Sequence, residues 1–219
     1  MPRAIASRAS IGLALIATLA QPAVADWSLA DHVADVLMYD GVRLAEFKLV
    51  GSALRSQRGY LMPTATPGPD GALAPYKEGM RVAGELRVGQ LLITPDNAFG
   101  PSWLEFVLHG TTRVGIEYGR CDGSKADGTR LHFYFMRADD PAGAPITEAA
   151  FDLTEQQWRT QTVELPGGDI FVRVQVKFIG TGGANWTATV ITGDGEFGTA
   201  EEVRALSQYA DRLQEMPTE

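Results

Sequence analysis

Arg130, His132 and Tyr134 alternate with Leu131, Phe133 and Phe135, and Arg173, Gln175 and Lys177 alternate with Val172, Val174 and Val176. Side chains on a strand point to opposite faces in turn, so each polar trio shares one face and each apolar trio the other. Were the two strands neighbours, a single face would offer Arg, His, Tyr, Gln and Lys together. Such a set could neutralise a sugar carboxylate and abstract the proton beside it, with His132 or Tyr134 as base or acid. A solvated sheet face produces the same alternation, and that plainer reading is the one the pattern favours.

A second group of candidates is aromatic. Trp158, Tyr60 and Tyr76, with Arg173 and Gln175 beside them, are the expected ligand-binding residues, because exposed rings with adjacent polar groups can stack and orient a sugar. Trp103 and Trp186 have the same side-chain chemistry, although tryptophans in β-sandwiches are more often core. No metal site is expected. Asp122 and Asp127 in DGSKADG, and Asp194 and Glu196 in GDGEFG, offer hard oxygen donors that make calcium the candidate cation, but Asp-Gly pairs are first of all turn formers. His109, Cys121, His132 and Met136 are the residue types of a blue-copper centre, yet Cys121 and His132 are too far apart for its short ligand loop. No G-x-S-x-G, H-E-x-x-H, phosphate-binding loop or dinucleotide fingerprint occurs, which leans the reading away from an enzyme.

Composition narrows the partners. The 219 residues carry 19 basic and 27 acidic side chains, a net charge of −8. The first 25 residues combine Arg3 and Arg8, an apolar run over 11–20 and an Ala23-Val24-Ala25 cleavage site, the pattern of a removable secretory leader too short to span a bilayer. Removing Arg3 and Arg8 from the 19 leaves 17 against 27, a net of −10. A chain so acidic lacks the basic footprint needed for nucleic acid and repels anionic lipid. The expectation is therefore an exported protein, periplasmic or secreted, without a membrane anchor after cleavage. Cys121 is the only cysteine, so no internal disulfide supports the fold.

Residues 26–219 fit a single domain. VADVLMY and VRLAEFKLV flank Asp40-Gly41, which predicts a hairpin with a type I′ turn. Residues 52–80 are rich in Pro, Gly, Ser and Ala and predict a long surface loop with at most one short strand. From Met80 onward, MRVAGELRVGQLLI, WLEFVLH, TRVGIEYG, TRLHFYFM, RTQTVEL, DIFVRVQVKFIG and NWTATVITG each fit a period near two, and the last two are expected to form a hairpin. Thr199 and Glu202 form a capping box ahead of Val203, Leu206, Ala210 and Leu213, predicting a C-terminal helix over about 200–215. The fold class expected is mostly β: an antiparallel, jelly-roll-like β-sandwich with a C-terminal α-helix.

The stretch from Phe151 to Thr192 resembles the closing strands of galactose-binding-like and carbohydrate-binding jelly-roll modules. In these modules a Trp-initiated strand ending in a Leu-Pro turn precedes a long alternating strand and a Gly-rich turn, matched here by Trp158, Leu165, Pro166, Val172 to Phe178 and Gly182-Gly183. The acidic pair that such modules often carry on the last strand is replaced by Thr187-Ala188-Thr189. The resemblance implies an exported, non-catalytic module that binds a carbohydrate or another extracytoplasmic ligand. Two further readings stand beside it. One is a jelly-roll polysaccharide lyase-like enzyme acting on an acidic glycan through His132, Tyr134, Arg130, Arg173, Gln175 and Lys177. The other is an accessory subunit of an exported protein assembly, docked by its C-terminal helix or a sheet face.

Overall fold

In the computed structural model of the chain, residues 25–96, 100–181 and 185–215 are described. The expected leader, apart from Ala25, and most of the turn at 181–184 lie outside them. A strand with apolar residues at every second position has one face to bury, and two sheets satisfy each other by packing those faces together. Ten strands do most of this: β1 (Leu37–Asp40), β2 (Tyr60–Pro63), β3 (Leu91–Thr94), β4 (Ser102–His109), β5 (Arg113–Arg120), β6 (Gly128–Arg137), β7 (Thr147–Leu153), β8 (Arg159–Glu164), β9 (Asp169–Ile179) and β10 (Thr187–Gly193).

One sheet runs β8-β5-β10-β3-β2 and continues through the short strands Ala53–Arg55 and Lys48–Val50. The other runs β7-β6-β9-β4-β1 and continues through Ala45–Glu46 to Gln214–Glu215. Every named pairing is antiparallel except the last, where Gln214–Glu215 lies parallel to Ala45–Glu46. Between the sheets Leu131, Phe133, Phe135, Val172, Val174, Val176, Leu104 and Phe106 from the second sheet meet Leu61, Leu91, Ile93, Val114, Ile116 and Ile191 from the first. The molecule is a mostly β, jelly-roll-like sandwich with one C-terminal α-helix, α1 (Ala200–Leu206).

Several expectations change in detail. The Asp40-Gly41 hairpin forms, with Tyr39 opposite Glu46, but the turn is not type I′: the positive φ falls on Leu44, at 53°. Asp40 holds the turn instead, its buried carboxylate accepting from the Arg43 backbone N–H at 2.6 Å and from the Arg43 guanidinium. Gly41 is needed for space, because a Cβ there would stand 2.6 Å from Trp103 Nε1. Residues 52–80 are not one loop but contain Ala53–Arg55, β2 and the small ladder Ala65–Pro67 with Leu73–Pro75. The buried Ala53, Leu54, Leu61 and Met62 draw the first two of these strands into the sheet.

The strand β7 carries too few apolar residues for its sequence to announce it, and it forms as the edge partner of β6. Nor do β9 and β10 make a hairpin, since they belong to opposite sheets and the chain crosses between them. Two clamps hold that crossing: Asp127 accepts from Thr181 N at 3.0 Å, and Asn185 Nδ2 donates to Gly128 O and to the Thr129 hydroxyl. The helix is also shorter than expected. It stops at Leu206, after which Ser207 turns extended so that the tail can reach Ala45–Glu46.

Candidate functional site

The outer face of the second sheet brings the two polar trios together. Arg130 pairs in register with Lys177, His132 with Gln175 and Tyr134 with Arg173, so the shared face exists. Its arginines, however, are occupied. Arg130, half-exposed, makes a two-pronged contact with Asp152 at 2.6 and 2.7 Å. Arg173 Nε donates to the buried Glu105 at 2.8 Å, and both of its terminal nitrogens reach the Gln208 amide oxygen at 3.0 Å. His132 lies between Glu148, at 3.0 Å from Nε2, and the Tyr134 hydroxyl, at 2.9 Å from Nδ1. Burial, with the Glu148 charge behind it, raises the Tyr134 pKa above 10.0, so the hydroxyl stays protonated. A face whose arginines already hold carboxylates is poorly prepared to neutralise a sugar acid.

The outer face of the first sheet is different. Its strands are overlaid by residues 75–90, and a cleft of about 450 Å³ opens between that overlay and the sheet. Such a volume is within the usual range for small-ligand sites. Sheet register builds the floor: Tyr60 pairs with Thr94 and Met62 with Leu92, which places all four side chains on the outer face. Tyr60 and Tyr76 therefore line one cleft, although they are 16 positions apart in sequence. Tyr76 is 61% exposed, and its strand is tied in where Tyr76 N donates to Thr64 O at 2.9 Å. Gln90 anchors the overlay from beneath, donating to Met80 O at 2.8 Å and to the Thr64 hydroxyl at 3.0 Å.

Trp186 forms another wall. Its ring lies against Gly79 and Gly123, where an added Cβ would come within 3.3 and 2.8 Å of it, and the Lys77 ammonium stands 4.9 Å above it. Arg55, Arg58 and Asn185 complete the polar rim. Three polar atoms of the lining residues are buried without a partner among the described residues: Arg55 Nε, the Thr94 hydroxyl and Asn185 Oδ1. Buried polar groups are satisfied almost everywhere in folded proteins, so such a concentration marks a place where a ligand or water completes the hydrogen bonding. The sequence reading named Tyr60, Tyr76 and Trp186 but missed Arg55, Arg58 and Lys77. Their signal was a set of cations in a polar segment of an acidic chain.

The remaining candidates lie elsewhere. Trp158 is half-buried beside Val82, Cys121 and Ala188, with the Arg87 guanidinium 5.0 Å from its ring, and it does not line the cleft. Trp103 packs against Tyr134 on the opposite sheet. Asp122 accepts from Ala83 N and Gly84 N, one bond to each oxygen at 2.9 Å, and Asp127 serves the crossing clamp. Asp194 accepts from Thr112 and Arg113; its burial opposes ionisation, but these bonds outweigh it and hold the pKa below 3.8. Among the described residues no group of three or more His, Cys, Asp or Glu side chains could hold a metal ion. Cys121 is buried, and that burial, with Asp122 nearby, pushes its thiol up to about 12. It is far from His109, which contacts Asp169 and Glu202.

No family model matches the chain, and no curated relative does. Among solved structures it is similar to the module TmCBM61 in complex with beta-1,4-galactotriose (16% identity over 49% of this chain and 70% of that one, TM-score 0.28). It is also similar to the C-terminal CBM6 of LamC, a marine laminarinase from Zobellia galactanivorans (16% identity, 72% and 98% covered, TM-score 0.30). A third is the carbohydrate-binding module CBM36 in complex with calcium and xylotriose (13% identity, 49% and 79% covered, TM-score 0.27). Likenesses this distant say nothing about a ligand for this chain, which has to be argued from its own side chains.

Proposed function

We propose that this is an exported, non-catalytic binding module that holds an oligosaccharide in the cleft formed by Tyr60, Tyr76 and Trp186. The observation that carries the reading is the combination, in one open cleft, of three aromatic side chains with buried polar atoms that none of the described residues satisfies. Rings supply stacking surface, and unsatisfied donors and acceptors supply orientation, which is how polar ligands with apolar faces are held. Export is supported by the leader pattern, and a non-catalytic role by the pairing of Arg130 and Arg173 with carboxylates on the opposite face. The helix, with Val203 buried against its own sandwich, offers little for docking into an assembly.

The test is calorimetric titration of the mature protein with a panel of oligosaccharides, alongside absorbance monitoring for unsaturated sugar product. Saturable binding without product is expected. The substitution Tyr76→Ala, at an exposed position, should weaken binding roughly five- to tenfold, the worth of about 1 to 1.5 kcal/mol of ring contact. Formation of unsaturated product would establish the lyase instead, and absence of binding across the panel would remove the module reading.

A further inference from the structure

The charge at the cleft narrows the ligand further. In a chain with a net charge of −8, seven arginines are compensated: Arg43 by Asp40, Arg87 by Glu117, Arg130 by Asp152, Arg137 by Asp139, Arg159 by Glu155, Arg173 by Glu105 and Arg204 by Glu46. Arg55, Arg58 and Lys77 have no such partner, and although Arg81, Arg113, Arg120, Arg212, Lys125 and Lys177 also lack one among the described residues, these three converge on the cleft. All three line the cleft, no carboxylate lies among the lining residues, and none of the three has an ion-pair partner among the described residues. Arg55 goes further, for its Nε is buried with no acceptor among the described residues. The two acceptors left unsatisfied beside it, the Thr94 hydroxyl and Asn185 Oδ1, belong to residues only 6% exposed.

We propose that the cleft selects a sugar chain bearing anionic groups, a uronate carboxylate or a sulfate ester, over its neutral counterpart. This rests on the oligosaccharide reading and names the substrate class for the same site. Guanidinium groups suit the task because they present several donors in a plane and bind carboxylate or sulfate oxygens in pairs. The Lys77 ammonium, poised over the Trp186 ring, adds charge beside a stacking surface, so one sugar unit can meet an aromatic face and a cation together. The remainder of the acidic surface does not cancel this attraction. Charges beyond about 8 Å are largely screened at physiological salt, whereas a ligand in the cleft contacts its cations directly.

The experiment uses the mature chain and three matched probes: an oligogalacturonate, the same oligosaccharide with its carboxyls reduced to neutral hydroxymethyl groups, and a sulfated galactan oligosaccharide. Calorimetry at low and high salt gives the affinities, with inorganic sulfate as competitor. At least one acidic probe is expected to bind about tenfold or more tightly than the neutral one, with the advantage shrinking as salt rises, and the comparison of carboxylate with sulfate identifies the source of charge. The double substitution R58Q/K77Q, at positions outside the core, should bring the ratio of acidic to neutral affinity down toward one. Arg55→Gln should do so separately, since it keeps a hydrogen-bond donor but loses the charge. Equal or tighter binding of the neutral probe would overturn the acidic preference while leaving the oligosaccharide reading intact, whereas failure of every probe would remove both. Competition by inorganic sulfate as effective as the oligosaccharide itself would show a bare anion site and would also overturn the proposal.

Discussion

Arg173 illustrates how a residue chosen for chemistry serves structure instead. Alternation along β9 correctly puts it on the outer face, yet its partner there is Glu105, a carboxylate with no exposed surface on the neighbouring strand. The Tyr39 hydroxyl donates to the same Glu105 oxygen at 2.9 Å, and burial, with the Glu105 charge, pushes the Tyr39 pKa well up. Tyr209 closes over Arg173 at 5.3 Å. Taking two charges out of water costs several kcal/mol, which good geometry only repays, so breaking such a pair hurts more than replacing it. Glu105→Leu or Arg173→Met alone should therefore cost about 3 to 5 kcal/mol, and the double substitution much less than the sum. Urea denaturation of the four proteins of the cycle measures this, and additive losses would show that the two charges do not depend on each other. No signal within either strand announces the pair, because Glu105 and Arg173 are 68 residues apart and meet only through sheet register.

At the level of elements, α1 shows what local sequence can and cannot specify. The capping box is present as its spacing implies, with Glu202 N donating to the Thr199 hydroxyl and Thr199 N donating to Glu202. Thr199→Ala should cost about 1 kcal/mol by thermal or urea unfolding. The helix end was not legible, because Leu206, Ala210 and Leu213 keep a helical spacing through a tail that in fact runs as a short 3-10 turn and an edge strand. What ends the helix is distant: the tail is needed to pair with Ala45–Glu46. Between helix and sheet, His109 accepts charge support first from Asp169 and then from Glu202, which raises its pKa above 6.5. Glu202, held mainly by the Thr199 backbone N–H, has its pKa lowered below 4.5. A raised histidine pKa contributes stability that is complete below the unfolded value and fades as pH rises through the folded one. The stability difference between the native protein and His109→Gln should thus be larger near pH 6 than near pH 9, and urea titrations across that interval would detect a difference of the opposite sign.

For the molecule as a whole, occupancy of the cleft couples to folding. An anionic oligosaccharide at a hundred times its dissociation constant should add about 2.7 kcal/mol, which for a domain of this size is a rise in melting temperature of roughly 5 to 10 °C. Differential scanning calorimetry of the native protein and of R58Q/K77Q, with and without ligand, measures it, and an equal rise in both would separate the stabilisation from the cleft cations.

Much of the β character was legible because a strand in a two-layer fold writes its burial into alternate residues, as Ile170 to Phe178 do. Composition likewise determined that no internal disulfide could form, because Cys121 is the single cysteine of the sequence. Which sheet each strand joins was not written locally. The run from Asp169 to Gly193 reads as a hairpin and is a crossing between sheets, because a Gly-rich connection serves either path and the choice depends on which faces remain to be covered. The cleft belongs to the same category. Tyr60, Tyr76 and Trp186 were visible as side chains, but their convergence with Arg55, Arg58 and Lys77 depends on a segment of low periodicity folding back over a sheet. The sequence by itself determined the faces of the strands, since alternation is a property of each strand alone. Only the tertiary structure decided which charges are spent on one another and which are left uncompensated, since compensation depends on residues brought together from distant parts of the chain.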